Sequence, residues 1–171
     1  MHCRQHRPMK NLLIVYHSMT GGSLQMAQAA MEGAVAEPAL STRLLHAPDA
    51  GPDDVLEADG YIFATPENLG SISGLLKDFF DRTYYAALDR VNGRPYATLI
   101  CAGSDGSGAA RQIARIATGW RLKPVAEPLI VCTHAQTPEA ILQPKIIAAP
   151  QLALCAELGA ALATGIALGV F

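Results

Sequence analysis

The chain has 171 residues, enough for one domain with a substantial core, and half of it is hydrophobic with 16% charged, which excludes a disordered polar segment. A formal net charge of -2 argues against a basic nucleic-acid surface and against the strongly acidic face of a dedicated electron-transfer docking protein. Cys3, Cys101, Cys132 and Cys155 are widely spaced with no Cys-x-x-Cys pair, so buried reduced thiols and a cytoplasmic location are expected.

Residues 1–8 are basic and polar without the apolar centre of a signal peptide, and are expected to be a disordered extension of a domain covering residues 9–171. His2, Cys3 and His6 lack a fourth ligand nearby, so no metal site is expected. Residues 12–16 form an unbroken apolar run and predict a first strand. The turn His17-Ser18-Met19-Thr20-Gly21-Gly22-Ser23 follows, and small residues at helical spacing run from Leu24 to about Ala36. Residues 42–47 read as a second strand, residues 53–58 as a brief helical turn and residues 61–65 as a third, fully apolar strand.

The third strand runs into a second polar turn, Thr65-Pro66-Glu67-Asn68-Leu69-Gly70-Ser71-Ile72-Ser73-Gly74. Residues 75–82 then carry a helical apolar stripe, with Leu75, Leu76, Phe79 and Phe80 expected to face the sheet. A fourth strand at 96–102 ends in a third turn, Gly103-Ser104-Asp105-Gly106-Ser107-Gly108, before a helix at about 109–118. The fifth strand is placed at 129–133, and Pro138 and Pro144 bracket an irregular or short helical link. The last helix, from about Pro150, carries the single charge Glu157 and the spacing Gly165-Ile-Ala-Leu-Gly169. Its alanine content, central acid and lack of following Lys or Arg favour a buried helix over a membrane span, with its small-residue face suited to close packing or a subunit contact.

Apolar strands alternating with helical segments predict parallel βαβ units with helices on both faces of the sheet. In such sheets ligands bind beyond the carboxyl ends of the strands, where all three turns lie. The sequence lacks Gly-x-x-x-x-Gly-Lys-Ser/Thr, its first turn lacks Gly-x-Gly-x-x-Gly, and neither strand one nor strand three ends in a carboxylate. What remains is a phosphate held without a lysine: hydroxyls from Ser18, Thr20 and Ser23, close backbone approach at Gly21 and Gly22, and the amides of a helix start.

The first turn together with residues 65–82 resembles the flavodoxin-like FMN-binding family, above all its NAD(P)H-dependent FMN reductase and quinone reductase branches. The resemblance covers nearly the whole chain from Met9. It implies an α/β three-layer sandwich around a five-stranded parallel sheet of order 2-1-3-4-5, with FMN at the switch between strands one and three. It further implies that Ser18, Thr20, Gly21, Gly22 and Ser23 hold the phosphate and that Pro66, Glu67, Asn68, Leu69 and Gly70 line the isoalloxazine. Ala102, Gly103, Ser104, Asp105 and Gly108 would touch its far edge and the ribityl chain.

The expected activity is electron transfer from NADH or NADPH to a small-molecule acceptor such as a quinone or flavin. The alternatives are a flavodoxin-type carrier, against which the near-neutral charge counts, and a non-catalytic flavin-binding module. No general acid or base is nominated: Glu67 and Asn68 are polarising candidates or caps, and His17 is a plain loop histidine. Tyr84 and Tyr85 pack on the surface or cover a flavin in a partner subunit, and Trp120 is expected at the sheet edge. Arg111, Arg115, Arg121 and Lys123 form a solvated basic face or meet NADPH phosphates. The family points to a homodimer or homotetramer, with no nucleic acid partner and no membrane span. The compact third turn departs from the long quinone reductase pattern, which leaves the acceptor open.

Overall fold

The computed structural model describes residues 9–171. The extension expected at residues 1–8, with His2, Cys3 and His6, lies outside the described residues.

The chain runs β1 (Lys10–Tyr16), α1 (Gly22–Ala34), β2 (Leu40–His46), α2 (Pro52–Glu57), β3 (Gly60–Asn68), β4 (Ser71–Ile72) and α3 (Gly74–Ala87). It continues with β5 (Pro95–Ala102), α4 (Ser107–Gly119), β6 (Lys123–Pro124), β7 (Leu129–Cys132), α5 (Pro138–Leu142) and α6 (Ala149–Leu168). The parallel pairs are β2 with β1, β1 with β3 and β3 with β5, while both β6 and β7 pair with β5. The predicted order 2-1-3-4-5 is therefore the order seen, with the fifth position broken into two pieces. β6 pairs at Pro95 and Tyr96, β7 at 99–102, and the bond from Val125 N–H to the Tyr96 carbonyl (3.2 Å) lies between. Residues 126–128 separate the two, and Pro124 and Pro128 carry no N–H to continue the ladder.

The four residues 12–15 of β1 are all buried because the sheet is covered on both faces. Leu12, Ile14, Ile62, Leu99 and Cys101 meet α1 and α6, whereas Leu13, Val15, Tyr61, Phe63 and Ile100 meet α3 and α4. On the second face Phe63, Phe79, Phe80 and Trp120 form one aromatic cluster, with Phe80 edge-on to both Phe63 (4.9 Å) and Trp120 (5.4 Å). Trp120 thus belongs to the core rather than the sheet edge. Leu75, expected to face the sheet, is 44% exposed. The helix begins at Gly74, and its buried stripe is Leu76, Phe79, Phe80, Thr83 and Ala87, which leaves Leu75 about 40° beyond Phe79 at the stripe's edge.

α1 and α6 touch backbone to backbone. A Cβ on Gly33 would overlap the Ala156 carbonyl, and a Cβ on Gly159 would overlap the Ala30 carbonyl, so both contacts require glycine. The spacing Gly165-x-x-x-Gly169 does not make this contact: Gly165 lies beneath the Phe171 ring, and Gly169, at φ +70°, ends the helix. By length and composition α6 is apolar enough to cross a membrane, and about a third of its most apolar stretch is buried against the domain. Leu154 and Leu168 stay exposed on its outer side.

Candidate functional site

The site is built where β1, β3 and β5 end together. After Tyr16 the chain turns through Ser18, whose Oγ accepts from Gly21 N–H (3.0 Å), and Gly21 adopts φ +91° to start α1. The first amides of α1 have no helical carbonyl to meet, so they and the helix dipole face whatever lies at this turn. Gly22 admits no side chain, because a Cβ would overlap Cys101 Sγ on β5. Ser23 is 1% exposed, and its Oγ is buried without a hydrogen-bond partner among the described residues. A hydroxyl left unpaired at a helix N-terminus is free to donate to an acceptor placed there.

The second turn is a rigid hairpin. Glu67 pairs with Ile72 and Asn68 with Ser71, leaving Leu69 (φ +51°) and Gly70 (φ +71°) as a two-residue link with both residues left-handed. Its base is held by Ser73 N–H donating to Thr65 Oγ1 (3.1 Å), and Ser73 Oγ caps α3 by accepting from Leu76 N–H (3.3 Å). The Glu67 carboxylate accepts from Gly106 N–H (2.9 Å) through Oε1 and from Ala109 N–H (3.0 Å) through Oε2. It caps α4, tying the second turn to the third. Ile72 N–H donates to Gln112 Oε1 (2.9 Å), and a Cβ on Gly108 would overlap the Gly70 carbonyl. Gly108 therefore lets the hairpin lie on α4.

A cleft with about 590 Å³ of empty space, including its open mouth, lies between these turns. Of the residues singled out from the sequence, Ser18, Thr20, Gly22, Ser23, Pro66, Glu67, Asn68, Ala102 and Gly103 line it. Gly21, Leu69, Gly70, Ser104, Asp105 and Gly108 stand behind or outside its lining. Gly21 and Gly108 shape the turns, Leu69 points wholly into solvent, and the Asp105 carboxylate accepts from Ser107 N–H and Oγ–H, which holds it below the usual carboxylate range.

Residues not anticipated complete the lining: Met19, Cys101, Thr133, Ala135, Ile141, Leu142 and Lys145. Thr133 and Ala135 follow β7 just as the other turns follow their strands, so the carboxyl-end rule could have found them. Ile141, Leu142 and Lys145 come from α5 and the strap after it. Lys145 N–H donates to the Thr20 carbonyl (2.7 Å), drawing that strap onto the first turn.

His17 lies outside the cleft lining. Its N–H bonds the Ala64 carbonyl (3.0 Å), its ring stacks on His46 (5.6 Å), and burial with the neighbouring imidazole pushes its pKa down. Tyr84, Tyr85, Trp120 and the basic residues Arg111, Arg115, Arg121 and Lys123 also stand apart from it; Arg121 pairs with Asp89. Burial raises the Cys101 thiol above its ordinary value, and burial pushes Cys155 up to about 11.

A parallel sheet of this order, with a glycine turn and helix start after its first strand and a rigid hairpin after its third, has the flavodoxin-like fold. The chain belongs to the NADPH-dependent FMN reductase family, whose model matches residues 47–136 and so includes the second and third turns. A curated NAD(P)H dehydrogenase (quinone) of Acidithiobacillus ferrooxidans is 38% identical over a match covering 44% of this chain and 48% of that protein. A flavodoxin of Aquifex aeolicus is 32% identical over 58% of this chain and 54% of its own length. The chain thus spans about half the length of these curated relatives. Among solved structures, a flavodoxin from the domain Archaea superposes with a TM-score of 0.74 at 18% identity, covering 91% of this chain and 98% of that one. The flavodoxin, WrbA-like protein of Agrobacterium tumefaciens gives 0.70 at 20% identity, covering 92% and 97%.

Proposed function

We propose that the cleft holds FMN and that the protein is an NAD(P)H-dependent oxidoreductase passing electrons to a small acceptor such as a quinone or flavin. The observation that carries this is the unpaired Ser23 hydroxyl at the start of α1, set across the cleft lining from Pro66–Asn68. The residues present fit the cofactor: hydroxyls and helix amides for a phosphate, and a cleft lined by Pro66–Asn68 and Ala102–Gly103 for a ring. Family membership and the quinone dehydrogenase relatives support the same reading.

Ser18, Thr20, Ser23 and the α1 amides would bind the phosphate, with Pro66, Glu67, Asn68, Ala102 and Gly103 beside the ring. FMN, when bound, supplies the redox chemistry, taking a hydride and handing on electrons. Asn68 on the hairpin would orient the polar edge of the ring, while Ile141 and Leu142 limit water entry at the mouth. The Glu67 carboxylate is engaged by two amides, so it positions the third turn rather than acting as a free base. The reading includes a cytoplasmic protein that assembles as a homodimer or homotetramer, supported by exposed Ile141, Leu142 and Ile146 near the mouth.

The test is to purify the chain with added FMN and titrate NADH and NADPH anaerobically while recording the flavin spectrum. Bound FMN bleached by one nicotinamide is expected, followed by reoxidation on adding a quinone. Failure to bind FMN refutes the proposal. FMN bound but bleached by neither donor favours an electron carrier, the second reading, to which the similarity to the Aquifex aeolicus flavodoxin points.

A further inference from the structure

We infer that Lys145 makes this cleft select a flavin bearing a phosphate monoester over the neutral flavin without one, an inference that rests on the FMN reading above. The first turn holds no cation: Ser18, Thr20 and Ser23 are neutral. A phosphate monoester carries about 1.5 to 2 negative charges at neutral pH. The N-terminus of a helix offsets about half of one charge. Among the described residues lining the cleft only Glu67 and Lys145 are charged side chains, and the Glu67 carboxylate is directed to the Gly106 and Ala109 amides. The compensating cation is therefore Lys145.

Its position is fixed from several directions. Besides the Lys145 N–H bond to the Thr20 carbonyl, the Gln25 side chain clamps the strap to the turn. Gln25 Nε2 donates to the Gly21 carbonyl (2.9 Å) and the Lys145 carbonyl (2.7 Å), and its Oε1 accepts from Ile147 N–H (3.1 Å). The ammonium donates to the carbonyls of Ala140 (2.8 Å), Ile141 (2.8 Å) and Gln143 (2.6 Å) at the end of α5. All three of its protons are thus occupied. It acts on an anion through its charge across the cleft, without needing a direct hydrogen bond. Lys145, Cys101 and Gly22 line the same cleft, with Cys101 Sγ against Gly22 at the start of α1, so the strap, β5 and the first turn meet there.

A purely structural Lys145, serving only to staple α5 over the mouth, predicts something different. It would help every flavin equally, since ring and ribityl chain are common to all of them. The experiment compares FMN and riboflavin binding by fluorescence quenching in the full chain freed of flavin, for the wild type, Lys145→Met and Lys145→Arg. Lys145→Met should weaken FMN binding by about 10- to 100-fold while changing riboflavin affinity less than about threefold, as expected for removing one partly screened charge. Lys145→Arg should keep most of the preference for FMN.

Parallel loss of both flavins in Lys145→Met, an unchanged ratio, or an arginine variant that loses the preference as fully as methionine would overturn the inference. Riboflavin binding also reports whether each variant is folded, and Lys145→Gln takes the place of methionine in the same comparison if methionine is not tolerated. A wild type that binds neither flavin refutes the FMN reading itself, whereas an equal preference for FMN in the wild type and in Lys145→Met refutes only the role of this residue.

Discussion

Glu67→Gln removes the strap between the second and third turns with almost no change in shape. Both carboxylate oxygens accept from backbone amides at 2.9 and 3.0 Å, from Gly106 and Ala109, neither of which has a helical carbonyl to turn to. A glutamine places one N–H₂ against an amide donor, so one bond is lost outright and the other loses its charge. A hydrogen bond to a charged group is worth about 1.5–3 kcal/mol. Loss of the negative charge beside the α4 N-terminus adds about 0.3–1 kcal/mol. The expected destabilisation is about 2–4 kcal/mol, read as a lower urea midpoint at unchanged slope. FMN affinity should fall too, since Asn68 and Gly103 would no longer be held in register. A loss below about 0.5 kcal/mol would show that water satisfies the two amides equally well and that the carboxylate is not a strap.

Three other outcomes follow from the geometry. Gly33→Ala should gain about 1 kcal/mol of helix propensity if exposed, yet its Cβ overlaps the Ala156 carbonyl, so a net loss of about 1–3 kcal/mol is expected in thermal unfolding; a stabilised variant would show that α1 and α6 are not in backbone contact. Leu69→Asn, at an exposed left-handed position before Gly70, should raise the melting temperature by the equivalent of about 0.5–1 kcal/mol, and a lowered one would contradict the turn geometry. His17 has a folded pKa below its ordinary 6.5, so the unfolded chain binds a proton more readily, and stability should fall as pH drops below about 6.5; His17→Gln should flatten that part of the pH–stability curve, and an unchanged curve would place the titration elsewhere.

The parallel sheet was legible because strands buried on both faces must be apolar throughout, as residues 12–15 and 61–64 are. The three turns were legible because each carries residues that a buried strand cannot. Nine expected site residues line one cleft, and several others serve its scaffold instead. Gly108 is needed because the Gly70 carbonyl lies against it, a contact between loops that neither segment announces. Glu67 was read as a polarising group or a cap, but its partners lie 39 and 42 residues downstream, beyond any local pattern. Lys145 was invisible for the same reason: its place beside Thr20 depends on Gln25 and on a strap whose sequence, between two prolines, has no periodicity. Leu75 is exposed because it sits at the margin of the stripe, about 40° beyond Phe79, in the first turn of α3.

The broken fifth position of the sheet has a consequence for behaviour in crowded solution. An open sheet ends in a row of unpaired amides and carbonyls, onto which another chain can add a strand and begin aggregation. Here that margin consists of a two-residue and a four-residue piece, with Pro124 in one and Pro128 just before the other. Neither is long enough to template an intruding strand, and the prolines remove donors where one would need them. The interruption blunts this side of the sheet against self-association while leaving the carboxyl end of β7, with Thr133 and Ala135, free to wall the cleft.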